Sequence, residues 1–95
     1  MTESVYKALA DPTRRQILKL LGEHSMTAGE IGAHFNLAKS TMSGHFSVLK
    51  GADLIRDEQR GTSILYSLNL TVVEETLSAL MDLLKVNRTG KEEVE

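Results

Sequence analysis

The chain has 95 residues, enough for one small domain with a modest core that a second subunit would help to stabilise. It contains no cysteine, which excludes disulfides, thiolate metal sites and thiol redox sensing within it, and no apolar run reaches the roughly 18 residues of a membrane span. Formal net charge is −2, but eight Lys and Arg face seven acids over residues 1–60 and three face six over 61–95, so a local basic face survives in an acidic chain. The N-terminus lacks a basic start followed by an apolar block, so no signal peptide is expected and the expected location is cytoplasmic.

Residues 3–10 predict a short helix with Val5, Tyr6, Ala8 and Leu9 inward. Asp11-Pro12 then marks a break and a restart. Asp11 is a good N-cap, and Pro12 suits a first helical position, where its missing N–H would be unpaired anyway. The second helix carries Ile17, Leu18, Leu20 and Leu21, and Gly22 is placed to end it. Thr27-x-x-Glu30 is a capping box, and Met26 with Ile31 has the spacing of a hydrophobic staple. A third helix is therefore expected from residue 27 or 28 to about residue 35. Asn36-Leu37 is a tight connection to a fourth helix, which makes the pair a helix-turn-helix.

That fourth helix, residues 38–50, divides into two faces. Ala38, Met42, Phe46 and Leu49 recur at helical spacing as an apolar stripe. Ser40, Ser43, Gly44 and Ser47 lie roughly opposite, flanked by Lys39, Thr41 and Lys50. The polar face carries no acid. A solvated face is usually built from Glu and Lys, whereas Ser and Thr are poorer helix formers. Short hydrogen-bonding side chains without negative charge suit a DNA groove, although hydroxyls alone are not base-specific. Ala38 stands at the cap position and cannot accept a backbone N–H, so Ser40 or Thr41 is expected to compensate, or the helix start to fray.

Residues 54–59 and 63–69 predict two strands around Arg60-Gly61-Thr62. Ile64, Tyr66 and Leu68 alternate with Leu65, Ser67 and Asn69, and Gly61 supplies the positive-φ turn residue. Arg60 at the tip reads either as a solvated turn residue or as the tip of a wing at a minor groove. The last helix is expected to start at Asn69 or Thr71 and to run to about residue 86. Val73, Leu77, Leu80 and Leu84 form its stripe, widened by Val72, Met81 and Leu83. A terminal helix apolar on more than one side predicts a dimer seam shared with the first helix. The expected dimer residues are Val5, Leu9, Val73, Leu77, Leu80 and Leu84. Residues 87–95 read as a polar tail after a single domain spanning 1–86, with dimerisation helices at about 3–10 and 70–86.

The assembled fold is mainly α with a small β-hairpin: four helices, two strands and a fifth helix. In this order the chain resembles the ArsR/SmtB family of bacterial winged-helix repressors. The residues that carry the resemblance are Leu9-Ala10-Asp11-Pro12-Thr13-Arg14-Arg15-Gln16-Ile17-Leu18, Met26-Thr27-Ala28-Gly29-Glu30-Ile31, Ser43-Gly44-His45-Phe46-Ser47-Val48-Leu49-Lys50 and the hairpin from Gly61 to Asn69. It is most similar to a branch of metal-independent autorepressors. The resemblance implies a homodimer on an inverted-repeat operator, with residues 38–50 as the recognition helix and Lys39, Ser40, Thr41 and Ser43 at contact positions. Gly44 departs from the family, which often has His or Arg there, and Phe46 stands where Leu is usual.

The full set of DNA-binding candidates is Lys39, Ser40, Thr41, Ser43, Gly44, His45, Ser47 and Arg60, with Arg14 and Arg15 behind them. His45 borders the apolar stripe and reads as a half-buried structural or phosphate-facing residue, with base contact the alternative. Arg14 and Arg15 read equally as an ion pair with a solvated neighbour or as phosphate contacts. No metal or other cofactor is expected. The last helix offers Glu74, Glu75 and Asp82 but no His, and His24 and His34 stand singly. Catalysis has no support: there is no Gly-rich phosphate loop, no HExxH, and Ser43 and His45 are neighbours on one helix. Any derepression is then expected from a membrane or other protein that sequesters the repressor, or from its expression level. The competing readings are a winged-helix protein-interaction module and a repressor answering to an unidentified ligand.

Overall fold

The computed structural model describes residues 3–85. Five helices and three short strands follow one another as α1 (Glu3–Leu9), α2 (Pro12–Leu21), β1 (Met26–Thr27), α3 (Ala28–Gly32), α4 (Lys39–Gly51), β2 (Ile55–Arg60), β3 (Ser63–Leu68) and α5 (Leu70–Leu83). The expected tail at 87–95 lies outside the described residues.

The caps set the helix starts. Asp11 has extended backbone, and its Oδ1 accepts the N–H groups of Thr13 at 2.8 Å and Arg14 at 3.1 Å. Pro12 follows at the first helical position. Thr27 and Glu30 close the reciprocal box: Glu30 N–H donates to Thr27 Oγ1 at 3.1 Å, and Thr27 N–H to Glu30 Oε1 at 2.8 Å. Met26 and Ile31 are both buried, as a staple requires. α4 starts at Ala38 without a side-chain cap; neither Ser40 nor Thr41 replaces it, yet Met42 N–H already donates to Ala38 O at 3.0 Å. Ala38 is thus an exposed cap rather than the first member of the apolar stripe.

α4 ends in a motif that local patterning did not reveal. Asp53 takes a left-handed conformation, φ 60°. Its N–H donates to Lys50 O at 2.9 Å, and Leu54 N–H reaches back to Leu49 O at 3.1 Å. This paired five- and three-residue return is a Schellman ending, with Asp53 where glycine is usual.

Three expected elements are corrected. The third helix stops at Gly32 rather than about residue 35, because the chain tightens into three-residue turns, His34 N–H to Ile31 O and Phe35 N–H to Gly32 O. The sheet has three strands in the order β1-β3-β2, all antiparallel, with Met26 opposite Tyr66 and Thr27 opposite Leu65. A two-residue strand that also caps a helix has no periodicity to detect. The last helix begins after Asn69, not Thr71, and ends at Leu83 rather than near 86; Asn69 makes no side-chain cap bond.

The core is centred on Ile17, Ile31, Leu49 and Leu54, with Met42 and Phe46 of α4 and Tyr66 of β3 packed around them. α1 contributes Val5 and Ala8. Tyr6, expected inward, is 38% exposed, because the inward face of this short helix passes through Val5 and Ala8 instead. α5 packs through Val72, Val73 and the buried Thr76, whose hydroxyl donates to Val72 O at 2.8 Å.

Candidate nucleic-acid interface

Helical geometry sorts α4 into a core side and an outer side. Met42, Phe46 and Leu49 are buried; Lys39, Ser40, Thr41, Ser43, Gly44, Ser47 and Lys50 are exposed. The outer side carries two lysines, four hydroxyls and no acid. A Cβ added at Gly44 would meet nothing within 4 Å, so packing does not require the glycine. α3, held by its capping box, precedes α4 as the first helix of the helix-turn-helix. The Glu30 carboxyl is kept below its ordinary pKa chiefly by the Thr27 backbone N–H.

The wing is the β2–β3 hairpin. Arg60 pairs with Ser63, leaving Gly61 and Thr62 as a two-residue turn in which Gly61 has φ 60°. A positive φ at the first central residue alone is the type II′ pattern, which matches strand twist. Arg60 lies in an exposed fork against Glu58, with Nε 2.9 Å from Oε2 and Nη2 3.3 Å from Oε1. This pairing lowers the Glu58 pKa and raises that of Arg60. A phosphate at the wing tip therefore has to compete with Glu58 for Arg60.

Two contacts join the wing to α4. Phe46 and Tyr66 stack with ring centroids 4.5 Å apart at 25°. Lys50 Nζ donates to Asp57 Oδ2 at 2.7 Å. Between α4 and the wing turn lies a cleft of about 500 Å³, whose walls include Lys39, Ser43, Thr62 and Ser63. Lys39, Ser43 and the wing turn thus share one side of the molecule.

The remaining candidates go elsewhere. Arg14 is half-buried. Its Nε donates to Ala8 O at 2.8 Å and its Nη2 to Lys7 O at 3.1 Å, while Nη1 lies 3.2 Å from His45 Nδ1. Arg15 Nη1 donates to Leu9 O at 2.7 Å. The two guanidinium groups take up carbonyls at the end of α1, where intrahelical partners run out; that of Lys7 also accepts the Ala10 N–H at 3.2 Å. The Arg14 side chain is an internal tie between α1, α2 and α4, and its hydrogen-bond partners are carbonyls and an imidazole rather than the acid of an ion pair. Arg15 lines an apolar groove away from the α4 face. His45 is half-buried against Arg14, not among the outer residues of α4.

That groove, about 360 Å³, is lined by Leu9, Leu18, Leu68, Val73, Leu77 and Leu80 among others. Four of the six expected dimer residues thus share one surface, and Leu77 and Leu84 are 59% and 69% exposed. Val5 is corrected: it is 3% exposed and consumed by the chain's own core. Among the described residues no three His, Asp or Glu side chains come together as a metal site. No described helix is long and apolar enough to cross a membrane.

Residues 11–57 match the profile of the bacterial regulatory proteins of the arsR family. Over 79 residues the chain is 46% identical to the transcriptional repressor SdpR of Bacillus subtilis, covering 83% of this chain and 88% of that protein. The chain belongs to the arsR family. It is a DNA-binding transcription regulator, not an enzyme. The crystal structure of a possible transcriptional regulator for arsenical resistance superposes with TM-score 0.75 at 31% identity, covering 85% of this chain and 83% of the other. That of an ArsR family transcriptional regulator does so with TM-score 0.73 at 27% identity, covering 90% and 91%.

Sequence reasoning missed the Arg14–His45 contact, the Lys50–Asp57 bridge and the Glu58–Arg60 fork. Only the last had a local signal, two opposite charges two apart on one strand face.

Proposed function

We propose that this arsR-family chain is a sequence-specific repressor that binds an inverted-repeat operator as a homodimer and represses its own operon. The observation that carries this reading is the acid-free outer side of α4, from Lys39 to Ser47, presented beside the wing turn. Lys39, Ser40, Thr41 and Ser43 lie in the major groove, and Arg60 approaches the flanking phosphates or minor groove. The similar protein SdpR bears the name of a transcriptional repressor, which favours repression over activation.

The dimer forms through the apolar groove of Leu9, Val73, Leu77 and Leu80, extended by Leu84, where water would otherwise cover a contiguous apolar surface. Recognition helices in successive major grooves then read half-sites about one turn, ~34 Å, apart. Regulation is independent of metal: the chain has no cysteine and α5 has no His, so the common ligand sets for soft and borderline metals are missing. A cytoplasmic repressor of this kind is released by a membrane or other protein that sequesters it.

The test is a mobility shift with salt titration, comparing duplex from the promoter of the chain's own operon with random duplex. Preference for the promoter, with affinity falling steeply as salt rises, is the expected result. Equal binding to both duplexes at moderate salt overturns the sequence-specific reading. Combined Lys39→Ala and Ser40→Ala should abolish the preference; retention of it removes α4 as the reading helix.

A further inference from the structure

We propose that Arg14 is a positioning residue for DNA binding, acting through His45 to fix where α4 sits against α1 and α2; this rests on α4 being the helix that reads DNA. The geometry is specific. One guanidinium spans three elements: it grows from the first turn of α2, donates to the Lys7 and Ala8 carbonyls of α1, and meets the ring of His45 in the middle of α4. Its own backbone N–H is held by Asp11 Oδ1, so the side chain leaves α2 from a fixed point.

The partner's protonation follows from the donor. Arginine has no acceptor and keeps its proton, so His45 Nδ1 must accept, and the neutral ring carries its hydrogen on Nε2. His45 follows the outward Ser43 and Gly44 and precedes the buried Phe46, so its ring sits where the core side of α4 meets the outer side. Lys50–Asp57 ties the C-terminal end of the same helix to the wing. Arg14 supplies the second tie, to α1 and α2. With both in place, the outer face of α4 has a defined tilt.

The experiment uses the full chain and a duplex from its own promoter, at constant ionic strength and about pH 8, where an imidazole is neutral. Arg14→Gln should weaken binding about three- to ten-fold at pH 8, the scale of one lost hydrogen bond. His45→Leu should do the same. His45→Asn, whose amide oxygen can stand where Nδ1 stands and accept from Arg14, should restore affinity. A DNA-free readout accompanies these: nitrogen-15 NMR of the His45 ring should show an Nδ1 resonance shifted by its accepted hydrogen bond in wild type, and loss of that shift in Arg14→Gln. If Arg14→Gln fails to fold, the His45→Leu and His45→Asn pair decides. Wild-type affinity in Arg14→Gln, equal affinities for Leu and Asn at position 45, or an Nδ1 resonance unchanged in Arg14→Gln overturns the proposal. If wild type binds no duplex while the Nδ1 resonance behaves as expected, the DNA reading of α4 fails and the Arg14–His45 tie stands.

Discussion

The Phe46 and Tyr66 rings stack at 4.5 Å and 25°, joining the middle of α4 to the central strand of the sheet. Both residues are 6% exposed, so the stack is desolvated as well as parallel. It is one of the two contacts described between α4 and the wing. Phe46→Leu, which retains an apolar side chain but loses the ring, should cost about 1 kcal/mol in urea unfolding. A double-mutant cycle with Tyr66→Leu should return a coupling of about 0.5–1.5 kcal/mol. A coupling near zero would show that the two rings merely share a core.

Lys50 and Asp57 make the second link between these elements, and its pH dependence has a definite sign. The Lys50 hydrogen bond lowers the Asp57 pKa below 3.8, and the Asp57 hydrogen bond raises that of Lys50 above 10.5. The carboxylate contributes stability above pH 3.8 that is lost as pH falls through its lower folded value. The ammonium contributes stability below pH 10.5 that is lost as pH rises through its higher folded value. Asp57→Asn should therefore lower Tm slightly between those limits, and the difference from wild type should shrink in stronger acid or base. Salt should shrink it too, since the pair is exposed.

The unsupported start of α4 predicts a stabilising change. Ala38 already has the extended backbone of a cap, φ −63° and ψ 151°, and lacks only the oxygen. Ala38→Ser should add about 1 kcal/mol in denaturant unfolding. The opposite change at the neighbouring helix, Thr27→Ala, should remove about as much, because it breaks a box that is fully formed.

Asp53 ends the same helix in a left-handed conformation that glycine adopts more easily. Asp53→Gly should stabilise the chain by about 0.5–1 kcal/mol, with the Schellman bonds of Asp53 and Leu54 retained. Urea unfolding measures the gain. A loss would mean that the flexibility added to the unfolded chain outweighs the relieved strain.

The exposed leucines of α5 predict the assembly. Leu77→Glu combined with Leu84→Glu should shift the chain to monomer in analytical ultracentrifugation while leaving its helical circular dichroism intact, because both side chains lie outside the core. Operator affinity should fall with dimerisation, since the two half-sites are then no longer bound as one. A variant that stays dimeric would move the seam off α5.

The order of helices, the winged hairpin and the outer side of α4 are legible in the sequence, because their signals are local. Asp11-Pro12, the Thr27–Glu30 box and Gly61 each act within a few residues, and helical spacing alone turns Lys39, Ser40, Ser43 and Ser47 to the same side as one another. The arsR-family blocks extended this to function. What only the tertiary structure decided are contacts between distant residues. β1 exists because Met26 and Thr27 meet Tyr66 and Leu65 across the fold. Val5 leaves the proposed dimer surface because it is buried in the chain's own core, where α1 packs with α2 and α4. Arg14 lies 31 positions from His45, and no pattern along the chain marks a guanidinium as a tie rather than a phosphate ligand. Local backbone chemistry chose the elements; the partners of long, charged side chains were settled only once packing had placed three helices around one guanidinium.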